Sequence, residues 1–364
     1  MKNNTYTVAV LGAGNIGSAV ISRLLNLDNE LINIEISKIL ISDTGKNRDF
    51  DKNLFTEDFN DILNDENIDL VIEVLGGVDP GKEYIKSLLQ KGKAVITANK
   101  DIIAECGKEL VELAQKNNTC LYFEAAVAAG IPVLKPLIES LRGEELSRIT
   151  GIINGTSNYI LTSMEEGSDY KKALATAQEL GYAEPDPTND VKGIDAKYKA
   201  MILSLICFGV TPSTDDLFTE GIATVTKEDF EWANRLGQTI KLVAIIDNEQ
   251  DGFNARVFPV LINKKHPLAS IRGALNAVVV EGKNIDQLVF SGPGAGANPT
   301  ASAIIGDVLS ACHQISSGQS NWYPLRKPTT AIKSFEQVTS SMFIRLSVSD
   351  KPGVLASIAG TLGE

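Results

Sequence analysis

The stretch "GYAEPDPTNDVKGIDAKYKA", residues 181–200, sets Glu184, Asp186 and Asp190 in a proline-stiffened loop that runs into a helix opening near Asp195. At about 100° per residue, Lys199 falls about 40° from Asp195, and Ile202, Leu203 and Ile206 share that side. Asp195 and Lys199 therefore extend the apolar stripe toward its N-terminal end. Lys197 and Ser204 fall opposite, and Lys197 is expected in solvent. An exposed pair at this spacing contributes only about 0.3 kcal/mol. A pair at the buried end of a helix costs desolvation and marks a cleft; an ion pair at a domain edge is the plainer alternative. A lysine so placed can protonate an alkoxide as hydride reaches a carbonyl carbon. Acidic neighbours such as Glu184 and Asp195 suit a substrate bearing an ammonium group. A divalent-metal reading of Glu184, Asp186, Asp190 and Asp195 lacks the spacing of a calcium loop.

A second stretch supplies the other half of such chemistry. "VAVLGAGNIGSAV" places Gly12, Gly14 and Gly17 as GxGxxG, directly after a strand and opening a helix. Gly12 permits the tight turn, Gly14 lets backbone approach a pyrophosphate, and Gly17 lets helix pack on strand, with the helix N-terminus facing the phosphates. At the end of the second strand Asp43 is placed to accept from a ribose diol, which favours NAD. Lys46 and Arg48 lie close enough to hold a 2′-phosphate, which favours NADP, so the residues leave the cofactor as NAD or NADP.

The elements that must carry these residues alternate strand and helix over the first 130 residues. "TYTVAVLG", "SKILISD", "IDLVIEVLGG", "KAVITANK" and "TCLYFEAAV" read as strands, with "NIGSAVISRLLN" and "DPGKEYIKSLLQKG" as helices. That order predicts a doubly wound, Rossmann-type parallel α/β sheet. From "AAGIPVLKPLIESL" to about residue 296 the pattern changes. "SRITGIIN", several helices, "FNARVFPVLI" and "NAVVVEG" predict a second α/β domain with its own sheet. "SGPGAGANPTASAIIGDVLSACHQI" reads as a glycine turn and a helix capped by Thr300. "SMFIRLSVSDKPGVLASIAGTLGE" reads as an alternating strand, a turn and the start of a helix. The expected division is residues 1–130 with 297–335 for the dinucleotide, 131–296 for substrate and dimerisation, and 340–364 as a partial third unit.

Bulk composition narrows the partners. The 364 residues are 43% hydrophobic and 22% charged, with a net charge of −12 and no long basic run, which argues against nucleic acid and anionic membrane. No apolar run reaches the length of a spanning helix. The N-terminus leads directly into a strand, so a cytoplasmic location is expected. Cys106, Cys120, Cys207 and Cys312 show no ligand spacing and are expected as free, buried thiols.

"TANK" at 97–100, "EAAVAAGIP" at 124–132, "NGTSNYIL" at 154–161, "LGYAEPDPTNDVKGIDAKYK" at 180–199, "HPLASI" at 266–271 and "GPGAG" at 292–296 follow the GxGxxG loop in order. Together they resemble the homoserine dehydrogenase family over nearly the whole chain. The resemblance implies NAD(P)H-dependent reduction of L-aspartate 4-semialdehyde to L-homoserine, on the route to threonine, methionine and isoleucine. It implies Lys199 as the proton-transfer lysine, Lys100 beside nicotinamide and substrate, and Asp195 and Glu184 as substrate ligands. Asn154, Gly155, Thr156, Tyr182 and Asp190 complete the implied substrate pocket. The implied cofactor set is Gly12, Ala13, Gly14, Asn15, Ile16, Gly17, Asp43, Lys46, Arg48, Gly76, Gly77, Thr97, Asn99, Lys100, Gly181, Glu184 and Gly296. Glu124, with the carbonyls of Val127, Ala129 and Ile131, matches the family's monovalent cation site, taken as sodium. A homodimer is implied as well.

Two departures accompany the resemblance. Many members carry an arginine before the aspartate that ends the second strand, where this chain has Ser42, which weakens the case for NADP. The tail resembles only the opening of an ACT amino-acid-sensing domain, and so short a segment is not expected to bury a core alone. His266 and His313 are the only histidines; His266 is expected to support the fold. The rival readings are a dehydrogenase of another amino acid and a catalytically idle nucleotide-binding regulator.

Overall fold

The computed structural model describes residues 4–27, 32–43, 49–249, 251–318, 325–328 and 330–363. The first sheet contains β1 (Asn4–Leu11), β2 (Ile32–Leu40), β3 (Phe55–Thr56), β4 (Leu70–Glu73), β5 (Ala94–Thr97) and β6 (Leu121–Tyr122). Its order is β3-β2-β1-β4-β5-β6 and every pairing is parallel. β4 and β5 are buried at every position, because helices cover both faces of such a sheet and nearly unbroken apolar runs result. The strand order reverses between β1 and β4, which opens a crevice at their C-terminal ends. The doubly wound expectation therefore holds.

The second sheet is formed by β7 (Leu146–Ile152), β8 (Phe218–Thr219), β9 (Gln238–Glu249), β10 (Gly252–Asn263), β11 (Leu275–Gly282) and β12 (Asp286–Pro293). Its order is β12-β11-β7-β9-β10-β8, antiparallel except for β8 on β10. The sequence reading names neither β9 nor β12. β9 hides because "QTIKLVAIIDNE" runs apolar on both faces with a lysine inside it. β12 hides because its residues blend into the glycine turn that follows.

The helix Ile194–Phe208 touches β7, β9 and β10 on one side and the first unit's helix Lys100–Lys116 on the other. From Ala200 to Phe208 every residue is buried. The expected split into an apolar and a solvated side is thus wrong over the second half of this helix. Ser204, placed opposite the stripe, is fully enclosed and donates its hydroxyl to the Ala200 carbonyl at 2.7 Å. Lys197, expected in solvent, is half-buried. The wheel describes one covered face, whereas this helix is covered by two units.

The helix Ala297–Ser317 returns to the first unit and packs against Asn15–Leu25. It begins after Gly296 (φ 112°), so Thr300 is buried within the first turn rather than capping it. Residues 331–335, which the expected division puts with the dinucleotide unit, lie along the second sheet. Phe253 N–H donates to the Ala331 carbonyl at 2.8 Å, Lys333 N–H donates to the Phe253 carbonyl at 2.9 Å, and Phe335 stacks on Phe218 at 3.9 Å. The expected strand in the tail does not form: residues 338–351 carry none, and only the helix Val354–Gly363 follows. A strand needs a neighbour for its backbone groups, and here Met342 and Leu355 stand 76% and 80% exposed.

Candidate active site

Asn154 leaves the end of β7 and caps the helix Gly155–Glu165, its side-chain oxygen accepting from Ser157 N–H at 2.8 Å. Its amide nitrogen then has two hydrogens to give. One goes to Asp190 Oδ1 at 2.7 Å and the other to Asp195 Oδ2 at 2.8 Å. Gly155 allows this geometry, since a Cβ there would stand 2.6 Å from the Ala274 carbonyl oxygen. The acidic loop turns into its helix through Gly193, in the left-handed region at φ 78°.

Asp195 then gathers two lysines. Lys199 Nζ lies 2.7 Å from Oδ2 and also donates to the Ile153 carbonyl at 2.9 Å. Lys100 Nζ, from the first unit, lies 3.5 Å from Oδ1. Exposure separates the two sides: the Lys199 side chain is 11% exposed and that of Lys100 31%. Burial opposes charge on Asp195, but the Lys199 and Lys100 ammoniums outweigh it and hold the carboxyl below its usual range. Burial likewise opposes charge on Lys100, yet Asp195 and Asp101 hold it above the ordinary lysine value. Asp190 is pushed up by burial, which its bond from Asn154 only partly offsets.

Around this cluster Thr156 donates its hydroxyl to the Tyr182 carbonyl. Tyr182 is half-exposed beside Tyr159, with ring centroids 5.0 Å apart. Glu184 does not join the cluster: its side chain is exposed, and among the described residues only its carbonyl is engaged, accepting from Gln178 at 3.2 Å. The four-carboxylate metal reading finds no support, since no group of three or more potential ligand side chains is placed to hold a metal among the described residues.

The crevice end of the first sheet holds the glycine positions. At Gly12 (φ 105°) a Cβ would stand 2.9 Å from the Val74 carbonyl oxygen, and at Gly17 2.1 Å from that of Gly12. Gly14 faces open space, and the helix Asn15–Leu25 starts there with no side-chain cap, so its first N–H groups remain for an anion. Ala13, Asn15 and Ile16 follow the same turn; Gly76 and Gly77 are exposed with positive φ. Asn99 caps the helix that begins at Lys100 and donates to the Gly77 carbonyl, while Thr97 accepts from Asn99 N–H at 2.9 Å. Gly181 and Gly296 are exposed turns at φ 74° and 112°. Asp43 is exposed just beyond β2, and Lys46 and Arg48 lie outside the described residues.

The sequence reading missed Glu73. This fully enclosed carboxylate accepts from Leu75 N–H at 2.8 Å and from the Thr97 hydroxyl, tying the β4 turn to the β5 turn. Its signal is an acid inside the buried run "LVIE".

Glu124 is also buried, and its carboxylate accepts from the N–H groups of Val133, Leu134 and Lys135 at 2.6–2.8 Å. Ala128 and Ala129 follow in the left-handed region. Val127, Ala129 and Ile131 are buried, and their carbonyls accept no hydrogen bond among the described residues. All four cysteines are free and buried, and burial pushes Cys120, Cys207 and Cys312 up to about 12. His266 Nδ1 accepts from Leu268 N–H at 3.2 Å, a cap that supports the fold. A 620 Å³ cleft elsewhere on the first unit, lined by Glu66, Asp69, Lys91, Asn118 and Cys120 among others, includes neither the glycine turn nor Asp195 and its two lysines.

A glycine turn at the switch point of a parallel sheet, with an aspartate held between two lysines of which one starts the helix after β5, fits a dinucleotide-dependent oxidoreductase. Comparison with known proteins makes this specific. The model of the homoserine dehydrogenase NAD-binding domain matches residues 12–124, and that of homoserine dehydrogenase matches residues 132–309. The homoserine dehydrogenase of Mycobacterium tuberculosis is 41% identical over 97% of this chain and 82% of its own length. That of Bacillus subtilis is 36% identical over 98% and 84%. The crystal structure of the Thiobacillus denitrificans homoserine dehydrogenase superposes with a TM-score of 0.87 at 34% identity, covering 99% of this chain and 86% of that one. A hyperthermophilic archaeal homoserine dehydrogenase, solved in complex with NADPH, is 27% identical with a TM-score of 0.74, over 85% of this chain and 98% of that one. The chain belongs to the homoserine dehydrogenase family, and it is an NAD(P)-dependent oxidoreductase. Among the described residues no helix is long and apolar enough to cross a membrane.

Proposed function

We propose that the chain interconverts L-aspartate 4-semialdehyde and L-homoserine, with Lys199 as the proton-transfer residue. The observation that carries this reading is the donor count at Lys199. An ammonium has three N–H groups, and two are committed to Asp195 and the Ile153 carbonyl. The third is left for a substrate oxygen. When bound, the nicotinamide supplies the hydride for the aldehyde carbon. Lys199 gives its proton to the resulting oxygen, and in the reverse direction takes the hydroxyl proton back. Asp195 keeps Lys199 aimed, and the more exposed Lys100 steadies the charge that develops on that oxygen. Asn154, Gly155 and Thr156 form one wall of the pocket. Asp190, Tyr182 and Glu184 come from the acidic loop, where the exposed Glu184 suits the substrate ammonium.

For the dinucleotide, the open Gly14 and the uncapped helix start fit a pyrophosphate, while Gly76, Gly77, Thr97 and Asn99 line the way to Lys100. The exposed Asp43 favours the ribose diol of NAD, and the archaeal relative's NADPH keeps NADP in the test. For a monovalent cation, the free buried carbonyls of Val127, Ala129 and Ile131 are suitable oxygen donors, with Glu124 as the nearby charge. The half-exposed Ile245 and Val260 and the exposed Val289 leave an apolar face on the second sheet, which supports a homodimer joined there.

The test is the near-ultraviolet absorbance of reduced nicotinamide during L-homoserine oxidation, with NAD and NADP given separately and with or without sodium. Oxidation of the alcohol by the oxidised nicotinamide releases one proton, so the extent of reaction is expected to grow from neutral to alkaline pH. Lys199→Ala is expected to lower turnover by about 10²-fold or more with little change in dinucleotide affinity. Equal turnover would sink the assignment.

A further inference from the structure

Lys241 is a fully enclosed lysine, and among the described residues no carboxylate forms an ion pair with it. It lies on β9 beyond the last rung that β7 shares with that strand, Gly151 opposite Ala244. There β7 has ended and the chain has turned into the helix Gly155–Glu165. Lys241 Nζ donates to Asn158 Oδ1 of that helix at 3.1 Å and to the Ile271 carbonyl at 2.6 Å. The Asn158 amide nitrogen in turn donates to the Ile271 and Leu275 carbonyls at 3.2 and 3.0 Å.

These bonds belong to a row along one side of the helix. Thr162 accepts from Gly273 N–H at 3.2 Å, and Arg272 pairs with Glu165 and Glu166 at 2.8 and 2.9 Å. The loop 271–275 is therefore stapled to the helix from its buried end to its exposed end. The same loop sets the Ala274 carbonyl against Gly155, one residue after the Asn154 amide that holds both Asp190 and Asp195.

We propose that Lys241 is a positioning residue for the reaction, the buried rivet that fixes this loop and helix and so sets Asn154 against the two aspartates. The inference rests on the active-site reading above. Lys241 touches no substrate; it acts through Asn158 and the helix that Asn154 caps. The titratable groups acting on it are Glu165 from the helix and Arg272 from the loop, and β10 offers only Val260 opposite it. With so little compensation, burial pulls Lys241 down to about 8, so its charge-assisted bonds weaken as pH rises through that value.

The test uses full-chain Lys241→Met with steady-state kinetics from neutral to alkaline pH. The KM for L-homoserine is expected to rise about tenfold while the dinucleotide KM stays within about twofold. The native chain is expected to show a rising homoserine KM as pH passes about 8, and the variant to lack that rise. A homoserine KM within about twofold of native, whatever happens to thermal stability, overturns the proposal; so does a native profile without the rise. Should Lys241→Met not be recovered folded, Arg272→Ala loosens the exposed end of the same loop and must raise the same KM by at least about twofold. An unchanged KM there overturns the proposal too. Lys199→Ala run alongside separates the two failures. If it abolishes turnover while Lys241→Met is silent, only the rivet is wrong; if it turns over normally, the site reading falls and the rivet with it.

Discussion

Lys100 and Lys241 are both lysines withdrawn from water, and their surroundings move them in opposite directions. At Lys100 the carboxylates of Asp195 and Asp101 overcome the cost of burial and raise its affinity for a proton. At Lys241 only amide and carbonyl oxygens are within reach, and burial lowers it to about 8. Depth alone therefore does not decide what a buried lysine does. A carboxylate partner makes a fixed charge suited to electrostatic and proton-transfer work, whereas neutral partners make a structural clamp whose charge is conditional on pH.

The sharpest way to break this contrast is to remove the shared carboxylate. Asp195→Asn deprives Lys199 and Lys100 of the carboxylate they share, leaving only Asp101 beside Lys100, and turnover is expected to fall by about 10²-fold. Steady-state assay at neutral pH checks it, and turnover within a few-fold of native would show that the pairing is incidental. Next comes the pH dependence of stability. Because the Lys241 value is lowered in the folded chain, its burial cost is fully present below about 8 and is relieved as pH rises toward the unfolded lysine value. Stability of the native chain should therefore gain on that of Lys241→Met by up to about 1.4 kcal/mol per pH unit across that window. Urea unfolding at several alkaline pH values measures it; parallel curves would mean that Lys241 does not titrate there.

The smallest effect is expected at a charge pair left near water. Arg345 reaches Asp229 and the Thr226 hydroxyl from a side chain that is 40% exposed. Arg345→Ala should cost under about 1 kcal/mol and leave turnover untouched. A larger loss in thermal unfolding would mean that the tail is docked more firmly than its exposure indicates.

These contrasts also mark what the sequence makes legible. The glycine turn, the parallel sheet and the approach of Asp195 to Lys199 follow from local pattern, because each depends on residues close in the chain. The Lys100–Asp195 contact spans 95 positions and no periodicity reveals it; only the family resemblance places the two residues in one site. Lys241 and Asn158 carry no local signal, since one lies in a strand whose apolar run has no polar face and the other sits inside a helix whose distinctive residues are Asn154 to Thr156 at its start. Glu124 was legible only through the resemblance, and its three backbone N–H partners belong to a helix start ten residues downstream. The tail fails for the opposite reason: its alternating pattern is strand-like, but no neighbouring strand meets it.

The Lys100–Asp195 contact carries a consequence for how such a protein can be taken apart or recombined. Lys100 opens a helix of the first unit, while Asp195 and Lys199 belong to the helix between the sheets. The cluster is thus jointly owned, and under the proposed mechanism neither half is a catalytic module by itself. On the proposed assignment, a chimera that grafts this acidic loop and helix onto a foreign dinucleotide-binding unit inherits the proton donor without the first unit's lysine beside it. It regains such a neighbour only where the new host also starts a helix with a cation at the matching edge.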